Sequence, residues 1–119
     1  MAQVVALIDD IFFQAKLLET AKQVGVEVCA CATADALGAE IAKAPPRLVA
    51  IDLNANSNPL QALEQLKAGG NGIPSIGFLS HVQTDLAERA RAAGCGDVMP
   101  RSKFTQNLAT ILARAKSQS

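Results

Sequence analysis

Leu48-Val49-Ala50-Ile51-Asp52-Leu53-Asn54 is a short apolar run that ends on an aspartate and passes into turn-forming residues. A continuous apolar run of this length reads as a strand buried on both faces, the pattern of a parallel sheet. Asp52 then stands where the strand ends. In open parallel sheets, ligands and chemistry gather outside the carboxyl ends of the strands. A second apolar run, Val4-Val5-Ala6-Leu7-Ile8, ends on the acid pair Asp9-Asp10. Three carboxylates at one sheet edge form a costly like-charge cluster unless a cation reconciles them.

Outward from these two runs, the chain alternates regularly. Phe12 to Val24 carries apolar residues at helical spacing (Phe13, Leu17, Ala21, Val24), with Gly25 as its stop. Val26 to Cys31 reads as a second strand. Thr33 caps a helix from Ala34 to Lys43, which Pro45-Pro46 ends. Asn58 and Pro59 read as cap and first turn of a helix carrying Leu60, Leu63 and Leu66. Ser75 to Leu79 is a fourth strand. Thr84 caps a helix over 85–93, with Gly94 as its stop, and Asp97 to Pro100 is a short fifth strand. Ser102 or Thr105 opens the last helix, striped by Leu108, Ile111 and Leu112. Five strand–helix units in strict alternation predict an α/β fold, a parallel sheet covered by helices on both faces.

The 119 residues favour one domain spanning the whole chain. Eleven basic residues balance eleven acidic ones, so no basic excess exists to neutralise phosphates, and nucleic acid is not an expected partner. No apolar run reaches the roughly 18–20 residues that span a bilayer. The N-terminus lacks a secretory pattern, which points to the cytoplasm. Cys29, Cys31 and Cys95 are an odd set without structural-zinc spacing, and read as buried thiols. Gly69-Gly70-Asn71-Gly72 follows a helix and precedes a strand, the wrong context for a phosphate-binding loop.

Taken together, Asp9-Asp10 after the first strand, Asp52-Leu53-Asn54 after the third, Pro74 before the fourth and Gly94 before the fifth resemble a response-regulator receiver domain. The resemblance covers nearly the whole chain. It implies a flavodoxin-like (βα)5 sheet with strand order 2-1-3-4-5. It implies that Asp52 is the phosphoacceptor, taking a phosphoryl group from a histidine kinase or phosphotransfer protein. Asp9, Asp10, Asp52 and the backbone carbonyl of Asn54 would hold Mg²⁺, a hard cation that prefers oxygen ligands. No enzymatic activity is expected beyond self-phosphorylation and dephosphorylation at Asp52. Output would be contact with another protein through the fourth helix, fifth strand and fifth helix.

Three positions depart from that family. Its hydroxyl residue at the end of the fourth strand is Leu79 here; Ser80 replaces it only if the strand slips by one, which flips the side chain to the other face. Its lysine after the fifth strand is Arg101, longer and forked, and Pro100 precedes rather than follows it. The aromatic switch position is Val98. Asp52 phosphorylated and clamped by Arg101 and Ser80 is therefore one reading. A degenerate pseudo-receiver, acting as a phosphorylation-independent interaction module, is the other. The alanine-rich helices around Ala90 and Ala113 suit a homodimer or partner interface. A small-ligand binder or enzyme on the same sheet is a third reading, disfavoured because the chain has no Trp or Tyr for ring stacking. His81 lies beside the fourth strand, near the expected pocket rim. Lys103 and Phe104 read as a solvated charge and a packing anchor.

Overall fold

The computed structural model describes residues 3–56, 58–69, 72–79 and 84–116. The elements run β1 (Val4–Leu7), α1 (Ile11–Val24), β2 (Val28–Cys31), α2 (Ala34–Lys43), β3 (Leu48–Asp52), α3 (Pro59–Ala68), β4 (Ser75–Leu79), α4 (Thr84–Ala92), β5 (Asp97–Pro100), α5 (Arg101–Gln106) and α6 (Leu108–Lys116). All strand pairs are parallel and the order is β2-β1-β3-β4-β5, the order that the resemblance implies.

Side-chain alternation divides the core in two. Val4, Ala6, Leu48, Ala50, Ile76 and Phe78 face α1, α5 and α6, meeting Phe13, Leu17, Phe104 and Leu112. Val5, Leu7, Val49, Ile51 and Leu79 face α2, α3 and α4, meeting Leu37, Ile41, Leu63 and Ala90. Strands buried on both faces have no polar side to show, which is why β1, β3 and β4 read as unbroken apolar runs.

Several ends differ from the sequence expectation. β1 stops at Leu7 and β2 starts at Val28, although the Ile8 N–H still reaches the Cys31 carbonyl at 3.0 Å. Asn58 is the cap residue of α3, yet its φ of 57° is left-handed and its side chain makes no capping bond. A side-chain cap needs extended backbone to bring its oxygen onto the first-turn N–H groups. α4 opens at Thr84 itself. The final helix opens earlier than Ser102 or Thr105, at Arg101, and is two segments: Asn107 breaks the regular angles while its N–H and carbonyl keep the ladder to Lys103 and Ile111. Gly25 and Gly94 end their helices at φ 77° and 106°, as expected of stops that need the left-handed region.

Gly77 is required for room rather than for φ. A Cβ there would lie 3.0 Å from Leu53 Cδ1 and 3.1 Å from Cys95 Sγ. Gly77→Ala is expected to cost about 1–3 kcal/mol in urea unfolding, the usual penalty for overpacking a core. An unchanged denaturation midpoint would show that Leu53 gives way freely.

Candidate functional site

Register assembles the site. Leu7 pairs with Ile51, Asp52 with Phe78, and Leu79 with Pro100. The residues just past each strand end therefore share one rim: Asp9 and Asp10 after β1, Asp52 closing β3, and Arg101 after β5.

Asp52 is buried, with 2% exposure. Its Oδ1 accepts from the Asn54 N–H at 2.9 Å, and its Oδ2 accepts from Arg101 Nη2, also at 2.9 Å. Burial raises its pKa; the Asn54 N–H and Arg101 pull it back, and the charge of Asp9 adds to the rise. Asp10 is the N-cap of α1. Its Oδ1 accepts from the N–H groups of Phe12 and Phe13, at 3.0 and 3.2 Å, and its Oδ2 accepts from Arg101 Nη1 at 3.3 Å. The Phe13 N–H is the chief cause holding its carboxyl below the usual range, with Phe12 and Arg101 adding to it. Asp9 turns the other way in its bonding, its Oδ2 accepting from the Asn56 N–H at 2.8 Å and so tying down the β3–α3 loop.

Arg101 is the common partner. Its guanidinium bridges Asp10 and Asp52 and lies over Phe13 and Phe78, at 5.0 and 5.7 Å from the ring centroids. As the first residue of α5 it places a cation at a helix N-terminus, the unfavourable end of the dipole. The two carboxylates offset that. Beneath it, Phe13, Phe78 and Phe104 form one cluster, with Phe78 and Phe104 stacked at 4.3 Å. Three of the four phenylalanines are in this cluster. The fourth, Phe12, is 84% exposed beside Ile11 at 71%, both next to Asp10.

The sequence singled out Asp9, Asp10, Asp52 and Arg101, and the fold brings them to one rim. Asn54 contributes its N–H to Asp52 and its residue is exposed. Leu79 ends β4 and is buried in the α2–α4 side of the core, so the described part of β4 offers no hydroxyl to the rim. Ser80 and His81 lie outside the described residues. The sequence reading did not foresee the Phe13–Phe78 seat.

The guanidinium of Arg101 stands between Asp10 and Asp52, where Mg²⁺ would meet them. All four oxygens of Asp10 and Asp52 already accept bonds from the protein. Among the described residues no three His, Cys, Asp or Glu side chains are grouped to hold a metal ion. The cation that reconciles the acids is the guanidinium.

Elsewhere, the three cysteines are unpaired. Burial pushes the Cys31 thiol up to about 12, keeping it protonated and inert at neutral pH. A cleft of about 610 Å³ lies at the opposite end of the sheet between Arg47, Pro74, Asp97 and Arg114, away from the acids. No described helix is long and apolar enough to cross a membrane.

No family model matches the sequence, and no curated protein matches it. Solved structures do match. The receiver domain of NtrX from Brucella abortus superposes with a TM-score of 0.82 at 21% identity, over 98% of this chain and 99% of that one. CheY4 of Vibrio cholerae, a chemotaxis response regulator, gives 0.80 at 19% identity, over 97% and 98%. Against the longer NtrX chain, 97% of this chain covers 27% of that one at 22% identity and a TM-score of 0.82, so it spans about a quarter of that protein. With its strand order and its strand-end acids, this chain has the fold of a response-regulator receiver domain.

Proposed function

We propose that this chain is a receiver-type signalling module of a two-component phosphorelay, with Asp52 as the phosphoacceptor. The observation that carries the reading is the placement of Asp52. It is the one buried carboxylate among the described residues, at the carboxyl end of the central strand, held by a cation from the first position of α5 and flanked by Asp10. Arg101, 28% exposed, is the group that must move for a phosphoryl donor to reach Asp52. The donor is a histidine kinase or phosphotransfer protein, and exposed Ile11 and Phe12 at the same rim supply apolar surface for a protein to meet. Output runs through α4, β5 and the last helix, α5 with α6, in a cytoplasmic setting. The chain is a substrate of phosphoryl transfer rather than a catalyst, apart from turnover at Asp52 itself.

Beryllofluoride, an acyl-phosphate mimic, tests this by NMR in the presence of Mg²⁺. Amide shifts are expected to centre on residues 52–54, 9–10 and 101, and Asp52→Asn is expected to abolish them. No shift in excess beryllofluoride would remove phosphoryl-dependent switching.

A second reading is favoured by one specific feature. The pocket is bonded throughout by its own residues, and β4 ends on Leu79 where a hydroxyl would be expected. A pocket so arranged suits a phosphorylation-independent interaction module. Under that reading Asp52→Asn leaves partner binding unchanged; under the first it abolishes the response to the donor.

A further inference from the structure

We propose that the cleft at the end of the sheet opposite Asp52 binds a small organic monocarboxylate with an apolar body. This site is separate from the acid rim, and it stands whether or not Asp52 is ever phosphorylated.

The cleft follows from what β5 brings to the sheet. Asp97 pairs with Ile76, and Ile76 with Ala50, so these three side chains form one row on the face that α1, α5 and α6 cover. In the next row on that face, Phe78 and Met99 pack into the same core as Phe104 of α5. In the Asp97 row a carboxylate stands where an apolar residue would draw a helix inward. A charge resists burial without a partner, and Asp97 is exposed. α6 packs on α1 instead, and the side chain it offers here at Ala115 is too short to close the space. About 610 Å³ is left between α6 and the starts of β3, β4 and β5, a volume typical of small-molecule sites.

The lining divides by chemistry. Leu48, Ile76, Ile111 and Ala115 are buried and form an aliphatic floor. Arg47, Asp97 and Arg114 line the same cleft and are exposed, so the charges stand at its mouth. Two guanidiniums and one carboxylate leave a single positive charge there. A monocarboxylate neutralises it, and a guanidinium fork matches that group in shape. A phosphate dianion brings one negative charge too many and faces Asp97, while an ammonium meets two arginines. No aromatic residue lines the floor, so the apolar body is held by burial rather than by ring stacking.

Naphthylacetate titrated into the isotope-labelled full chain, followed by amide NMR, tests the proposal. Naphthylethanol and naphthyl phosphate run beside it as the neutral and dianionic counterparts. The acid is expected to give saturable shifts at residues 47–48, 75–76, 96–97 and 111–115, with residues 9–10 and 52–54 unmoved. An affinity of about 1 mM is expected for a ligand of this size. The acid is expected to bind more tightly than the alcohol or the phosphate. Arg47→Gln and Arg114→Gln are each expected to weaken the acid about three- to tenfold and to leave the alcohol unchanged. Asp97→Asn is expected to tighten the acid and to narrow its lead over the phosphate. These three positions are exposed, so the variants keep the fold. Ala115→Leu fills the cleft and is expected to abolish binding of acid and alcohol alike; if it fails to fold, the surface variants decide. No saturable shift at about tenfold the expected affinity would overturn the proposal. So would shifts centred away from the lining, equal affinity for acid and alcohol, or a preference for the phosphate.

Discussion

Phe104→Ala is expected to remove about 3–5 kcal/mol of stability, a large share of what a domain of this size has. The ring is fully buried, stacked on Phe78 at 4.3 Å and near Phe13 at 6.0 Å. Truncation removes the transfer energy of the ring and leaves a cavity between sheet and helix that rigid neighbours fill only in part. A second loss follows from length. α5 has six residues, far below the length at which a helix persists unaided. Its other described residues are exposed or half-buried, so Phe104 is its anchor. The variant is therefore expected to fray α5 and loosen Arg101 at its first position. Urea unfolding measures the stability, and hydrogen exchange of residues 101–106 reads the fraying. Phe104→Leu, which keeps most of the volume, is expected to cost less than about 1.5 kcal/mol. An alanine variant losing under about 1 kcal/mol would show that the aromatic cluster is not what holds α5.

Arg101→Met carries the second large effect, roughly 3 kcal/mol at neutral pH, the low end for breaking a buried pair because the guanidinium reaches solvent. The loss is asymmetric between partners. Without Arg101, Asp52 keeps only the Asn54 N–H and faces Asp9 and Asp10 uncompensated. Without Asp52, Arg101 keeps Asp10 and some exposure. Asp52→Asn is accordingly expected to cost less than Arg101→Met, and the double variant to recover most of the loss.

The pH dependence has a definite sign. Burial already raises the Asp52 pKa, and removing the guanidinium takes away an opposing pull, so it rises further. A carboxyl with a raised folded pKa favours folding in its protonated form. That contribution is complete below the unfolded pKa, roughly 3.9, and is lost as pH rises through the folded value. The stability gap between wild type and Arg101→Met is therefore expected to be widest at neutral pH and to narrow toward acid. Asp10 runs the other way: its lowered pKa gives stability above the unfolded value that is lost as pH falls through the folded one. The variant keeps the part owed to the Phe13 and Phe12 N–H groups and loses the part owed to Arg101, and that lost part also narrows the gap toward acid. A gap that stays constant with pH would mean that Asp52 is not the group left unpaired.

Much of this was legible before any coordinates. Strand runs without polar alternation marked a parallel sheet, and Gly25, Gly94 and Pro59 marked helix ends, because these signals act within a few residues of chain. The strand-end acids followed from the same runs. Asn58 was legible as the cap position of α3 but not its left-handed, bond-free form, since a residue favoured at caps also tolerates that region and local sequence does not separate the two uses. The start of the last helix was missed for a related reason. Arg101 is a poor first-turn residue by the dipole rule, and only its distant acids make it acceptable.

By itself, then, the sequence determined the alternation of elements, the two apolar strands that end in carboxylates, and the need for a cation among them. Which cation answers that need was decided by the tertiary structure. Arg101 meets Asp10 and Asp52 across separations of 91 and 49 residues, and rests on rings from α1 and β4. Such a meeting depends on sheet register and side-chain packing, where a shift of one residue turns every group to the other face. Periodicity along the chain carries no record of it.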